Sequence, residues 1–175
     1  MAVDELVAVV PLPANPTEAG PPELLPKIEQ ALGTPLPKDM VEFGLRYGSG
    51  MFGDTLEVYN PFSASYLDTV NQVSDCYRNL KESEGSDFIP YEIFPEKPCL
   101  LVWGSDVNGH MLFWLTDGHP DKWPLMLMTV DGQFERWDMS ATSFLAKIFR
   151  GETGCILWDQ EWVKANLVGI AFRPK

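Results

Sequence analysis

Histidine is nearly missing from this chain, which has two, His110 and His119, in 175 residues. No His-Glu-x-x-His pair is present, and neither is a phosphate-cradling Walker loop, a dinucleotide-binding glycine fingerprint or a Gly-x-Ser-x-Gly elbow. Cysteine is as scarce. Cys76, Cys99 and Cys155 are odd in number and far apart, with no Cys-x-x-Cys spacing. That excludes a disulfide framework and a thiolate zinc site, and predicts reduced, mostly buried thiols. Positive charge is short: 13 basic residues face 25 acidic ones, for a net charge of −12. A field of that sign repels nucleic acid and anionic lipid, because each phosphate contact needs a cation in place of the released counterion. It attracts a basic partner, and it also serves solubility. No apolar run approaches the ~20 residues of a membrane span. Asp4 and Glu5 stand where an export signal is positive, and residues 6–10 are too few for its apolar core. Together these features predict a cytoplasmic protein.

Proline is plentiful, and five of the fifteen fall in the first 22 residues, at 11, 13, 16, 21 and 22. Proline fixes φ and removes a donor. Residues 1–21 are therefore expected to be an extended or disordered lead-in, ahead of a single domain over 22–175. Leu24, Leu25, Ile28 and Leu32 predict a helix that Gly33 ends; Met40, Phe43 and Tyr47 share one face of a second, over 37–47. A glycine-rich turn (48–54) leads to a strand over 56–59. Ser63 or Ser65 is placed to cap a long helix carrying Tyr66, Val70, Val73, Tyr77 and Leu80. A short strand is expected around 91–94, a helix capped by Ser140 and ended by Gly151, a short turn or helix near 159–166 and a last strand around 168–172.

Residues 99–138 read as a four-stranded antiparallel meander. Four apolar runs are separated by turn chemistry that includes Asn108-Gly109 and Asp131-Gly132. Both dipeptides suit a type I′ turn, with positive φ at both central residues. The middle runs, 111–115 and 125–128, do not alternate. This implies burial on both faces, or one face on helices and the other open for binding. The element order is segregated, which favours α+β: an antiparallel or mixed sheet with flanking helices.

No catalytic constellation is specified. His110 and His119 form either an acid–base pair with Asp106, Asp117 and Asp121 or ordinary loop histidines beside solvated carboxylates. Asp106-x-Asn108-Gly109 begins like a calcium loop, but its glycine comes two positions early and the distal glutamate is missing, so neither metal nor cofactor is expected. Four of six tryptophans (103, 114, 123 and 137) lie in the meander, as core filling or at a binding rim.

Leu36-Pro37-Lys38-Asp39-Met40, Tyr47-Gly48-Ser49-Gly50 and Leu56-Glu57-Val58-Tyr59 together resemble the opening motif of the SUKH superfamily. Leu101-Val102-Trp103-Gly104 with Asp106-x-Asn108-Gly109 and Phe113-Trp114 looks like its central motif, and residues 144–151 look like its closing helix. The resemblance spans about 22–155. It implies an α+β fold and non-enzymatic binding, since bacterial members are often immunity proteins that neutralise a polymorphic toxin and fungal members include cell-wall regulators. The first expectation is therefore an immunity protein, monomeric or homodimeric, that binds a basic toxin domain such as a nuclease. Its candidate partner-binding residues are Asp54, Glu57, Asp106, Asn108, Asp117, Asp121, Trp123 and Trp137. The alternatives are a regulatory scaffold that uses the proline-rich lead-in and, more distantly, a hydrolase built on the two histidines.

Overall fold

The computed structural model describes residues 2–175. Its frame is a mixed sheet of eight strands: β1 (Gly50–Phe52), β2 (Leu56–Val58), β3 (Glu92–Ile93), β4 (Cys99–Asp106), β5 (Met111–Leu115), β6 (Leu125–Met128), β7 (Phe134–Trp137) and β8 (Phe172–Pro174). The order is β7-β6-β5-β4-β2-β1-β8, all antiparallel, and β3 lies parallel to β4. Six α-helices complete the described residues: α1 (Ala2–Val7), α2 (Leu25–Leu32), α3 (Lys38–Arg46), α4 (Tyr66–Glu84), α5 (Ala141–Phe149) and α6 (Gln160–Asn166). The fold is α+β, and the meander runs from β4 to β7.

Strand alternation divides the helices between the two faces. Trp114, Leu125 and Trp137 are register partners across β5, β6 and β7, and Trp137 meets Phe144 of α5 edge-on at 5.3 Å. On this side α1, α3 and α5 pack together, and Phe43, Tyr47, Phe52, Phe149 and Phe172 form one aromatic cluster. Phe113 points the other way and meets Tyr77 of α4 at 5.4 Å. The middle strands are thus buried on both faces, and neither face lies open for binding.

The two tight hairpins of the meander, β4–β5 and β6–β7, differ from the type I′ expectation. Gly109 N–H donates to the Asp106 carbonyl, and Gly132 N–H to that of Thr129. Only the glycines take positive φ, at 84° and 79°; Asn108 and Asp131 do not. Each connection is a type I turn followed by a left-handed glycine, the geometry of a G1 bulge.

The lead-in also differs. Residues 2–7 are helical, and Val3, Leu6 and Val10 are fully buried. The first proline is Pro11, so nothing in residues 2–10 forbids a helix, and α1 packs on α5 and α3. Tyr47 fastens its end, donating from its hydroxyl to the Val10 carbonyl at 2.6 Å. Residues 11–21 do contain no helix. They cross the β1 end of the sheet, where Ser49 N–H donates to the Thr17 carbonyl at 2.7 Å. A Cβ on Gly48 would stand 2.1 Å from that carbonyl, so the Tyr47-Gly48 step needs glycine for close approach as well as for its φ of +72°.

Three smaller differences stand out. The glycine-rich stretch contains β1, which pairs with β8. Ser65 precedes α4 without a side-chain cap. The last strand lies at 172–174, later than expected. Ser140 and Asp159 do cap α5 and α6, accepting from Ser143 N–H and Trp162 N–H.

Candidate functional site

The N-terminus of α3 is the meeting point of three segments. A helix start leaves backbone N–H groups without intrahelical partners and carries partial positive charge. Pro37, at the cap position of α3, supplies no side-chain acceptor. Asp121, 83 residues beyond Lys38 in the β5–β6 loop, supplies it: one carboxylate oxygen accepts from Lys38 N–H at 2.8 Å and the other lies 3.1 Å from Lys38 Nζ. The backbone hydrogen bond from Lys38 is the main reason the Asp121 carboxyl titrates below the usual range. Asp39 then repeats the device on α5, accepting from Thr142 N–H and Thr142 Oγ1, both at 3.0 Å. Burial outweighs those bonds and pushes the Asp39 carboxyl up. Two carboxylates so tie α3, α5 and the 116–124 loop together at one corner.

Beside this corner a groove of about 500 Å³ opens between α2, α3 and the loop. Leu25, Leu36, Val41 and Pro120 give it apolar walls; Glu29, Glu42 and Asp121 carry its charge. A second hollow of about 300 Å³, lined by Ala2, Asp39 and Ser140, adjoins it through the shared residues Lys38, Glu42 and Asp121. A third cavity of about 220 Å³ lies elsewhere, beside the 11–21 arm of the lead-in. There Glu18, at φ 51°, accepts from Ser49 Oγ at 2.6 Å and Ala64 N–H at 3.0 Å, which lowers its pKa.

The eight sequence-predicted residues do not form one surface. Asp106 is buried: one of its oxygens accepts from Asn108 N–H and His110 N–H, the other from Trp158 Nε1. Trp123 is buried too, its indole N–H donating to the Gly118 carbonyl at 3.2 Å. Both are committed internally, Asp106 because a turn and the tail converge on it and Trp123 because it packs on Trp114. Asp54 and Glu57 lie on the β1–β2 hairpin, paired with Arg173 in β8 and with Lys175 just after it. Asn108 is exposed at the β4–β5 turn. Asp117 and Asp121 are exposed at the opposite end of β5, and Trp137 is half-buried on the outer strand β7. Of the eight, only Asp121 lines the large groove.

The histidines are separated by the same geometry. His110 precedes β5 and His119 follows it, and five strand residues span roughly 16 Å. His110 Nδ1 accepts from Val130 N–H and His119 Nδ1 from Asp121 N–H. Among the described residues, no three histidine, cysteine or acidic side chains gather into a metal-binding group, and no helix is long and apolar enough to cross a membrane.

Leu25, Leu36, Val41 and Glu42 were not among the sequence candidates. One signal was available: Val41 is apolar yet lies off the Met40–Phe43–Tyr47 face of its helix.

The family model described as SMI1-KNR4 cell-wall (SUKH_6) matches residues 22–145, from the residues before α2 into α5. No curated protein and no solved structure matches the chain.

Proposed function

Since this chain belongs to the SMI1-KNR4 cell-wall family, we propose that it works by binding another protein and breaks no bonds itself. Its partner is a basic toxin domain, and the protein is an immunity factor. The observation that carries this is the corner at α3, where an apolar groove with carboxylates along it lies on a chain of net charge −12. Charge of that sign speeds the approach of a basic partner, and the apolar walls lengthen its stay. The separation of His110 from His119 speaks against the acid–base pair that a hydrolase built on them would need. The protein works in the cytoplasm, where a toxin delivered to the cell acts.

The test is coexpression with the product of the neighbouring reading frame, because a toxin and its antidote must be inherited together. The expected result is that the neighbour alone arrests growth and that this chain restores it through a complex whose on-rate falls steeply with salt. A neighbour that is harmless, or one whose arrest persists, overturns the immunity reading.

The family's cell-wall description favours a second reading, a regulatory scaffold for a host protein. The lead-in cannot serve that reading as a free recognition arm along its whole length, because Val3, Leu6 and Val10 are buried in the core. Capture of a wall-synthesis component, with no protection against any toxin, is the result that favours it.

A further inference from the structure

We infer that the groove between α2, α3 and the β5–β6 loop is the docking site for a segment of a partner protein that offers one apolar side chain flanked by lysine or arginine. The inference rests on the protein-binding reading above and names the surface and the chemistry that fits it.

The groove's volume, about 500 Å³, is within the range of sites that enclose a side chain or a small ligand. Leu25, Leu36, Val41 and Pro120 offer the occupant no hydrogen-bonding side chain, so its inserted group is apolar. The charge around them is lopsided: three carboxylates (Glu29, Glu42 and Asp121) to one ammonium, Lys38. Lys38 is already held by Asp121 at 3.1 Å. Glu42 makes no hydrogen bond or ion pair among the described residues, and it lines both the groove and the adjoining hollow. A cation beside the inserted side chain therefore meets an unengaged carboxylate.

Charge complementarity selects among occupants. A second copy of this chain brings its own −12, and nucleic acid brings phosphates that the same carboxylates repel. The chain's own arm is engaged at Ser49. A basic segment with an apolar anchor satisfies both walls and charge. The corner is also built before the partner arrives: Asp121 holds the start of α3 and Asp39 holds α5, so little ordering entropy remains to oppose binding.

The experiment selects phage-displayed random dodecapeptides on the full-length protein at low salt, then titrates the winning synthetic peptide while backbone amide resonances are followed. The expected winners share an aliphatic or aromatic residue with a lysine or arginine within four positions, and they shift the amides of Leu25, Val41 and Glu42. Glu42→Lys is expected to weaken binding at least about 10-fold. Val41→Asp abolishes it with the circular dichroism spectrum unchanged, and Glu84→Lys, an equal charge change at the exposed end of α4, alters it less than about two-fold. Three results overturn the inference: no enriched peptide, winners that are acidic or uncharged, or equal losses in Glu42→Lys and Glu84→Lys. Protection from a toxin that survives Val41→Asp and Glu42→Lys leaves the immunity reading standing and removes this groove from it.

Discussion

The indole N–H of Trp158 donates to the carboxylate of Asp106 at 2.9 Å, joining residues 52 positions apart. Asp106 closes the first hairpin of the meander, and Trp158 belongs to the tail beyond the matched family segment. One acidic residue thereby organises a turn and anchors the tail to it.

Asp106→Ala leaves two backbone N–H groups and one indole N–H without their acceptor. The expected cost is about 2–4 kcal/mol, because the buried indole N–H and the two partly buried backbone N–H groups lose their acceptor without full replacement by water. Trp158→Phe removes only the indole bond and is expected to cost about 1–2 kcal/mol beyond its packing loss. Urea denaturation of both variants and of the double variant measures this; the double variant should cost clearly less than the sum, as contacting pairs do.

Leu6→Ala is expected to destabilise by about 2–5 kcal/mol, the cost of a core cavity. Leu12→Ala, two residues beyond the buried Val10 and 39% exposed, is expected to stay within about 0.5 kcal/mol. Thermal or denaturant unfolding tests the pair. An equal, small effect at both positions contradicts a structural role for α1.

Asp39 and Glu18 are expected to give pH dependences of opposite sign. Burial raises the Asp39 carboxyl, so the folded chain holds that proton more tightly than the unfolded one. Its contribution is full below the ordinary carboxyl value and is lost as pH rises through the raised native value. Asp39→Asn should therefore gain on the wild type as pH climbs from about 4 toward neutral. Hydrogen bonds from Ser49 and Ala64 lower Glu18, so its contribution is present above the ordinary value and is lost as pH falls through the lowered one. The wild type's advantage over Glu18→Gln should shrink as pH drops below about 4. Stability measured from pH 3 to 7 for the three proteins reads both slopes.

The three thiols are expected to react in a fixed order. Cys76 is exposed on α4, Cys99 is buried, and burial pushes the Cys155 thiol up to about 11. Since the thiolate is the nucleophile, an aromatic disulfide reagent at pH 8 should titrate one thiol quickly and the other two slowly. Cys76→Ser should remove the fast phase.

The sequence by itself determined the class of fold and most of its elements. Helical spacing such as Tyr66, Val70, Val73, Tyr77 and the apolar runs at 99–138 are local patterns, so the type of each element is legible along the chain before any packing is known. The tertiary structure decided which residues face a partner. Asp106 and Trp123 are both candidates for a binding surface in sequence, yet Asp106 is taken up by Trp158 and Trp123 packs on Trp114. Val3, Leu6 and Val10 form too short a pattern to fix a helix alone, and α1 gains its stability by burying them against α5. The groove has the same origin: Leu25, Val41 and Pro120 come from three separate segments, and only the packing of α2, α3 and the 116–124 loop sets them around one space. Burial is a property of the packed whole, so no run of neighbouring residues encodes it.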